Sequence, residues 1–532
     1  MLPLLLVFVT LQVSSINAAN ILGIITTASV SHHLPFRPLW KELAQRGHQV
    51  TVITTDPQRN LSNYNLIEID ISYTYKIYDK YDISNVISDE NNSYADIASV
   101  LQKLFFEAHD YMLNVPEVQD LILNKKNNFD VILCEAHMPS MMAFAWRFKC
   151  PLIAIASLDP AMQYHDSLGN LVHPVINPDP NLDIEDSENL SFTDRIRSFI
   201  YTYAYKYVIY TMTFPSHHEH MRRYFGDDLP SFNELQNNIS LMFTGTNPLF
   251  HNMRPMNLNT IPIGGGMHLQ PPQNLPKDLK KFLDDSTTGV IYFSLGSNVK
   301  CNLLSERFRR EILDTFAKVP YRVVLKIDCN LTNIPSNVLV KSWMPQQDVL
   351  RHPNVKLFIT QGGLQSLQEA ISNGIPLIGI PFFGDQITNV NRMEKRGYGI
   401  KLNKRTITKE ILTKAINEVM YNSKYRETAK LMGDIFKDEE IPSLQRAIFW
   451  TEYVIRHKGA DHLRSSATGM PGWKYYMLDV IGFFALCTVF TLTILYLLLR
   501  LVISILVYFV KHILLVRLNL VIKTNQGKLK YN

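Results

Sequence analysis

Apolar residues in this chain gather into short runs of the kind that form buried strands, and stretches with helical spacing separate them. The first run covers residues 20–26. A loop with Ser31-His32-His33 follows, then an amphipathic segment ending near Arg46, a glycine stop at Gly47 and a second run at 49–54. This alternation predicts a strand–helix–strand unit and a parallel sheet. It recurs as a strand at 130–134, a helix at 141–148 and a strand at 151–155. Residues 170–189, rich in Pro, Asn and Asp, are expected to be loop. A Tyr-rich helix is predicted at 200–210; its aromatic stripe is expected to pack in the core, with lining of an apolar pocket as the alternative. Composition shifts to Pro and Gly at 262–266 and 271–272, which marks a linker. A second series then begins, with strands at 290–295, 321–326, 356–360 and 376–380 and helices at 307–316 and 364–372. The fold class expected is α/β, with two doubly wound halves facing a cleft in which ligands meet the C-terminal ends of the strands.

Both ends of the 532-residue chain depart from this pattern. Residues 1–19 have an apolar centre and end in Ala18-Ala19, as a signal peptide does, although no Lys or Arg precedes the apolar stretch. Residues 480–499 carry no charge, and at about 1.5 Å per helical residue they span roughly the 30 Å of a bilayer core. A shorter apolar run, 501–510, either extends that helix or lies at the interface. The segments expected are thus a signal peptide (1–19), a first α/β domain (20–260), a second α/β domain (261–450), a return helix and linker (451–476), a transmembrane helix (477–500, its apolar run reaching 510) and a basic tail (511–532). From Arg500 onward there are six Lys or Arg and no Asp or Glu, against a formal charge of +5 for the whole chain. The positive-inside rule places that tail in the cytosol and the body in the lumen. Lys528 and Lys530 resemble a dilysine retrieval signal, which points to the endoplasmic reticulum membrane. The near-neutral body excludes nucleic acid as a partner. Sequons start at Asn60, Asn91, Asn189, Asn238 and Asn330; they permit glycosylation without requiring it. Five cysteines are too few for a disulfide scaffold and show no zinc spacing, so mostly free thiols with at most one bridge are expected. There is no GxGxxG or Walker motif, which removes the usual support for NAD or ATP.

Candidate chemistry concentrates between Trp343 and Gln386. A strand ends at Thr360, and Gly362-Gly363 turns into a helix whose free N–H groups and positive dipole end suit a diphosphate. Ser366 adds a hydroxyl. Glu369, one turn further on the same face, is placed to accept from ribose hydroxyls. Trp343 offers a flat face for a base, and Gln346 a paired donor and acceptor. Asp385 and Gln386, after another strand end, can bond sugar hydroxyls. Singly these signals are weak, because Gly-Gly before a helix is usually only a turn.

Taken together, the motifs Trp343-Met-Pro-Gln346, Thr360-Gln-Gly-Gly-Leu-Gln-Ser366 and Pro381-Phe-Phe-Gly-Asp385-Gln386 resemble the signature of the UDP-glycosyltransferase family (glycosyltransferase family 1, GT-B fold), and the resemblance covers nearly the whole chain. It implies that Trp343 stacks on uracil, that Gln346 contacts base or ribose, and that Glu369 holds the ribose. Gly363, Gln365 and Ser366 would approach the phosphates, as would Ser297 in the Phe-Ser-Leu-Gly-Ser loop. Asp385 and Gln386 would grip the transferred sugar. Gln361 stands where vertebrate members commonly have His; it can still donate to the β-phosphate but cannot carry charge. This form of the motif is most similar to the arthropod and baculovirus branch.

The same resemblance marks His32, sixteen residues before His48, as the catalytic base, with His33 a neighbour. It marks Glu135, after Phe129-Asp130-Val131, as the acid that orients the base, in a position where many members have Asp. The implied reaction is an inverting transfer of a hexose, glucose first, from a UDP-sugar to a hydroxyl of a small lipophilic acceptor, for detoxification or metabolite conjugation. The UDP-sugar is a co-substrate, and neither cofactor nor metal is expected. Arg254-Pro255 keeps UDP-glucuronic acid as the alternative donor, because a glucuronate carboxylate needs a guanidinium. A UDP-sugar epimerase suits an anchored luminal body poorly. A non-catalytic UDP-sugar-binding membrane protein is the alternative of another class. A homo-oligomer stays open, and the irregular loops of the first half do not reveal the acceptor.

Overall fold

The computed structural model describes residues 18–528 except 59–64, 90–91, 138, 181, 183 and 185. The signal-peptide expectation therefore lies almost wholly outside the described residues, as do the sequons at Asn60 and Asn91 and the final residues with Lys530. The other three sequon asparagines, Asn189, Asn238 and Asn330, are exposed. The chain divides after Thr468 into two compact units.

The first unit holds two parallel sheets. One contains β1 (Asn20–Ile25), β2 (Gln49–Thr54), β3 (Leu66–Asp70), β4 (Val131–Glu135), β5 (Leu152–Ala156), β6 (Ile239–Thr244) and β7 (Thr260–Pro262), in the order β3-β2-β1-β4-β5-β6-β7. The other contains β8 (Val290–Ser294), β9 (Arg322–Lys326), β10 (Val338–Lys341), β11 (Val355–Thr360), β12 (Leu377–Gly379) and β13 (Gly399–Lys401), in the order β10-β9-β8-β11-β12-β13. Helices cover both faces, so the central strands are buried on both sides and read as continuous apolar runs rather than as alternation; every residue of β4 and β8 is buried.

Each sheet reverses its winding once. In the first, the chain steps from β1 outward to β3 and returns to lay β4 beside β1, pairing Ile24 with Cys134. In the second, β11 returns beside β8, pairing Thr360 with Ser294. These are the points where a doubly wound sheet leaves a crevice at its strand C-termini.

Two elements lie near the expected segment joins. β7 continues the first sheet to Pro262, past residue 260. The helix Ser443–His457 returns to the first half before residue 451: Ala447, Ile448 and Val454 share one core with Leu39 and Leu43.

The Tyr-rich helix, Phe192–Val208, buries its aromatic residues only in part: Tyr201 packs beside Leu182, Ile184 and Leu190, and Tyr205 is half-buried. Phe192, Phe199, Ile200, Tyr203 and Tyr207 are exposed, whereas Ser198 and Thr202 are buried. The inward face is fixed by polar bonds to the irregular segment beside it. The Ser198 hydroxyl donates to the Pro174 carbonyl (2.6 Å), Tyr205 to Gln163 (3.1 Å) and Lys206 to Asp166 (2.7 Å).

Among the described cysteines one pair is bridged. Cys301–Cys329 (Cα–Cα 5.5 Å) links the loop after β8 to the loop after β9, while Cys134, Cys150 and Cys487 are free. The second unit contains the 51-residue helix Leu478–Lys528. Its stretch Leu478–Thr524 is long and apolar enough to cross a membrane, and the 501–510 run is part of that same helix.

Candidate active site

At the β1/β4 crevice the loop after β1 enters the short helix Val30–His33, which carries His32, and β4 ends on Glu135. Their side chains meet, with His32 Nδ1 2.5 Å from Glu135 Oε1. The other carboxylate oxygen accepts from the backbone N–H of Thr27 (3.2 Å) and from its hydroxyl (2.8 Å). Burial by itself would raise the Glu135 pKa. The adjacent His32 imidazole, with His137 and His33 further away, outweighs it and holds the carboxyl at about 2. Glu135 is therefore a carboxylate at neutral pH, able to accept an Nδ1–H from His32. His32 keeps 19% of its side chain exposed, enough to meet a substrate.

His33 has a different environment. It is buried, with Nε2 donating to the Thr27 carbonyl (3.1 Å) and Nδ1 accepting from the Thr54 hydroxyl (2.9 Å). Burial lowers its pKa, so it is a neutral strut beneath the loop.

The residues expected to hold the donor gather at the β8/β11 crevice. Two glycines make room there. Gly362 has φ +88°, and a Cβ on it would sit 2.2 Å from Val390 Cγ2; Gly296 has φ +76°, and a Cβ on it would sit 2.2 Å from Gln361 Nε2. Gln361 is thereby seated between the two loops, its carbonyl accepting from the Thr360 hydroxyl (2.9 Å). Gly363 is the N-cap of the helix Leu364–Ser372 and brings no side-chain cap, so the first N–H groups of that helix stay available to an anion. Ser297 is half-buried in the facing loop.

Deeper in this half, Gln346 donates to Ser366 Oγ (3.0 Å) and to Glu369 Oε2 (2.7 Å), and accepts from the Tyr292 hydroxyl (3.1 Å). Gln347 donates to Glu369 Oε1 (3.0 Å). Burial raises the Glu369 pKa against these bonds, so its carboxylate is held in place by amide donors and suited to a ligand hydroxyl. Trp343 is 65% exposed, with Lys326 Nζ 4.9 Å from its ring centroid. Lys326 also donates to the Gly296 carbonyl (2.8 Å), which brings a cation to the same loop.

Asp385 opens the helix Asp385–Arg396 after Gly384 and accepts from Asn389 (2.8 Å). Burial raises its pKa, with the Asn389 bond and His32 opposing. The Gln386 carbonyl accepts from the backbone N–H groups of Phe382 (2.9 Å) and Phe383 (3.3 Å), leaving its NH₂ for a ligand. Gln365 does something its motif position does not foretell. Its amide donates to the Ser31 carbonyl (2.5 Å), tying the donor helix to the residue before His32. Asn298 makes a second tie across the cleft, donating to the Ser29 hydroxyl (3.1 Å).

Sequence reasoning missed Thr27, Tyr292, Lys326 and Gln347. Tyr292 and Lys326 stand at strand positions where burial or strand polarity would explain them equally well. Thr27 is one threonine in an apolar stretch, and only the β1–β4 pairing shows what it faces. Arg254, the candidate for a glucuronate carboxylate, is largely buried and donates to Asp159 (2.7 Å). Against the cost of burial, Arg254 and His165 hold the Asp159 carboxyl well below the usual carboxylate range.

A family model described as UDP-glucoronosyl and UDP-glucosyl transferase matches residues 21–512. The chain is 32% identical over 494 residues to the UDP-glycosyltransferase UGT5 of Dactylopius coccus, covering 90% of this chain and 91% of that one. It is 32% identical to the ecdysteroid UDP-glucosyltransferase of Spodoptera littoralis nuclear polyhedrosis virus (90% and 96% covered) and 30% identical to the UDP-glucuronosyltransferase 2B15 of Homo sapiens (90% and 93%). Among solved structures it is similar to a UDP-glucose:anthocyanidin 3-O-glucosyltransferase in complex with UDP, with TM-score 0.54, 15% identity, and 83% of this chain and 99% of that one covered. The calicheamicin glycosyltransferase CalG4 matches with TM-score 0.53, 18% identity and 83% and 99% coverage. At those identities the structures speak for the fold. With two doubly wound halves and a family match across nearly all of its length, the chain belongs to the UDP-glycosyltransferase family and is a glycosyltransferase of GT-B fold, with a UDP-sugar as co-substrate.

Proposed function

We propose that this chain moves glucose from UDP-glucose to a hydroxyl of a small lipophilic acceptor, with inversion at the anomeric carbon, and that His32 is the base. The observation that carries the reading is the His32–Glu135 pair (2.5 Å), set at one winding reversal and facing the uncapped donor helix at the other. His32 Nε2 takes the proton of the acceptor hydroxyl. The oxygen forms its bond to the anomeric carbon as the bond to the UDP oxygen breaks, and the electron pair leaves on the diphosphate. Glu135 stabilises the imidazolium. The N–H groups opening the helix Leu364–Ser372, the amide of Gln361 and the hydroxyls of Ser297 and Ser366 stabilise the leaving diphosphate. Trp343 and Gln346 take the base, Glu369 the ribose, and Asp385 with Gln386 the hexose hydroxyls.

Glucose is favoured over glucuronic acid because the Arg254 guanidinium is already neutralised by Asp159. The helix Leu478–Lys528 is read as the anchor, and the Lys and Arg on its C-terminal side support a luminal body in the endoplasmic reticulum membrane through the positive-inside rule. To test the donor, microsomes containing the chain are incubated with a phenolic acceptor and either UDP-glucose or UDP-glucuronic acid, and products are identified by mass. A glucoside is expected. A glucuronide overturns the donor assignment, and UDP binding with no product from either donor favours a non-catalytic UDP-sugar-binding protein.

The ribose assignment has its own test. Replacing Glu369 by Ala removes hydrogen bonds between a charged acceptor and ribose, so the donor KM should rise roughly 10–100-fold with kcat little changed. Steady-state kinetics in donor concentration, alongside titration with UDP, check it; an unchanged donor KM removes Glu369 from the donor site.

A further inference from the structure

Two residues beyond Glu135, His137 follows the end of β4. Its ring meets His32 edge-on, with centroids 5.7 Å apart and planes at 66°. On its other side it meets Phe105, from the helix Tyr94–Leu113, at 6.1 Å and 88°. His109 and His217 back Phe105, with ring centroids at 6.5 and 6.3 Å. His109 and His217 are both buried, which makes this a firm ring-lined wall. His137 thus contacts both that wall and His32. It is exposed although it lies deep beside Glu135, as a side chain lining a cleft must be, and it makes no hydrogen bond to any described residue. Surrounding protein and the neighbouring His32 lower its pKa against the pull of Glu135, so it is a neutral imidazole with one donor and one acceptor to offer.

A polar ring with free hydrogen-bonding atoms, next to the base and backed by an aromatic wall, matches a particular kind of acceptor. We infer that His137 is a specificity-determining residue that bonds a second oxygen on the acceptor, so that the site selects aromatic acceptors bearing another hydroxyl on the ring that carries the nucleophilic one. The edge of Phe105 packs on the ring, His32 receives the proton of one hydroxyl and His137 holds the other. A site built to bond an oxygen discriminates against the analogue that lacks it, because the site's own polar group is then left unpaired. This inference rests on the proposed transfer reaction and names its acceptor class.

The test compares phenol with catechol and resorcinol, and 1-naphthol with dihydroxynaphthalenes, in the full-length chain and in the variants His137→Phe and His137→Gln. The readout is the ratio of kcat/KM for dihydroxy over monohydroxy acceptor. Intrinsic differences in phenol reactivity cancel when wild type and variant are compared. His137→Phe keeps a ring against Phe105 and His32 but removes both nitrogens; it should reduce the dihydroxy preference about tenfold, chiefly through KM for the dihydroxy acceptor. His137→Gln, which keeps a donor and an acceptor, should retain part of the preference. UDP titration of each variant reports whether the donor half is intact. A ratio unchanged in His137→Phe, including an equal loss on both acceptor classes, overturns the inference and leaves the transfer reaction standing. A wild-type chain that turns over neither class with either donor overturns the transfer reading beneath it.

Discussion

His32→Ala should lose roughly 10²–10⁴ of kcat, the usual contribution of a positioned general base, while binding UDP as the wild type does. The two readouts separate because His32 stands at the β1/β4 crevice, whereas every group proposed to hold UDP belongs to the second sheet and its loops. Rapid-quench or steady-state glucoside formation measures the first quantity, and calorimetric titration with UDP the second. A variant that keeps more than a tenth of wild-type kcat would show that another group takes the acceptor proton. A variant that also loses UDP would show that the loop with Ser31, bonded by Gln365, is needed to keep the donor helix in place.

Glu135→Gln should be nearly as damaging, although it changes one atom. Oε1 receives Nδ1–H of His32, and Oε2 receives two donors from Thr27. An amide cannot satisfy both sides. If its oxygen faces His32, its NH₂ is pressed against the Thr27 N–H. If it turns over, the NH₂ faces Nδ1 and selects the tautomer whose Nε2 carries a proton and cannot act as base. The equivalent change in a serine protease triad costs about 10⁴ in kcat through the wrong tautomer; a loss of about 10²–10⁴ is expected here, with acceptor and donor KM little affected. Stability should follow pH accordingly. The Glu135 pKa is depressed in the folded protein, to about 2 from an ordinary 4.5. Its contribution is therefore fully present above pH 4.5 and is lost as pH falls from there towards 2. Denaturant unfolding at pH 5 and pH 3 should show a smaller loss in Glu135→Gln than in wild type. An equal loss in both would locate the acid sensitivity in other carboxylates.

Much of the architecture was legible because the central strands of a doubly wound sheet carry the strongest apolar signal. The run at 49–54 and the helix at 364–372 appear in the structure with those bounds. The edge strands were not legible: β10 and β13 are four and three residues long, and β3 alternates buried and open positions with a charge in its middle. β6 is fully buried, yet nothing in its flanks separates it from the preceding helix. At the site, the motif positions could be read along the chain, and the structure brings His32 to Glu135 and Gln346 to Glu369. The partners supplied by neighbouring elements could not be read, because Thr27, Tyr292 and Gln347 become meaningful only once those elements are packed together. The aromatic stripe of Phe192–Val208 misleads for a related reason. Periodicity shows which residues share a face, and the packing partner decides which face turns inward; here that partner offers polar groups beside a small apolar cluster.

The Cys301–Cys329 bridge has a consequence for how the chain must be made. It ties the loop that carries Ser297 and Asn298 to the one following Lys326, so the proposed donor crevice acquires its covalent brace only where thiols are oxidised. A chain produced in a reducing cytoplasm would present the same sequence with two free thiols beside the nucleotide pocket. Activity recovered from such material would describe an unbraced enzyme. Host compartment therefore belongs among the variables of any donor-affinity measurement on this protein.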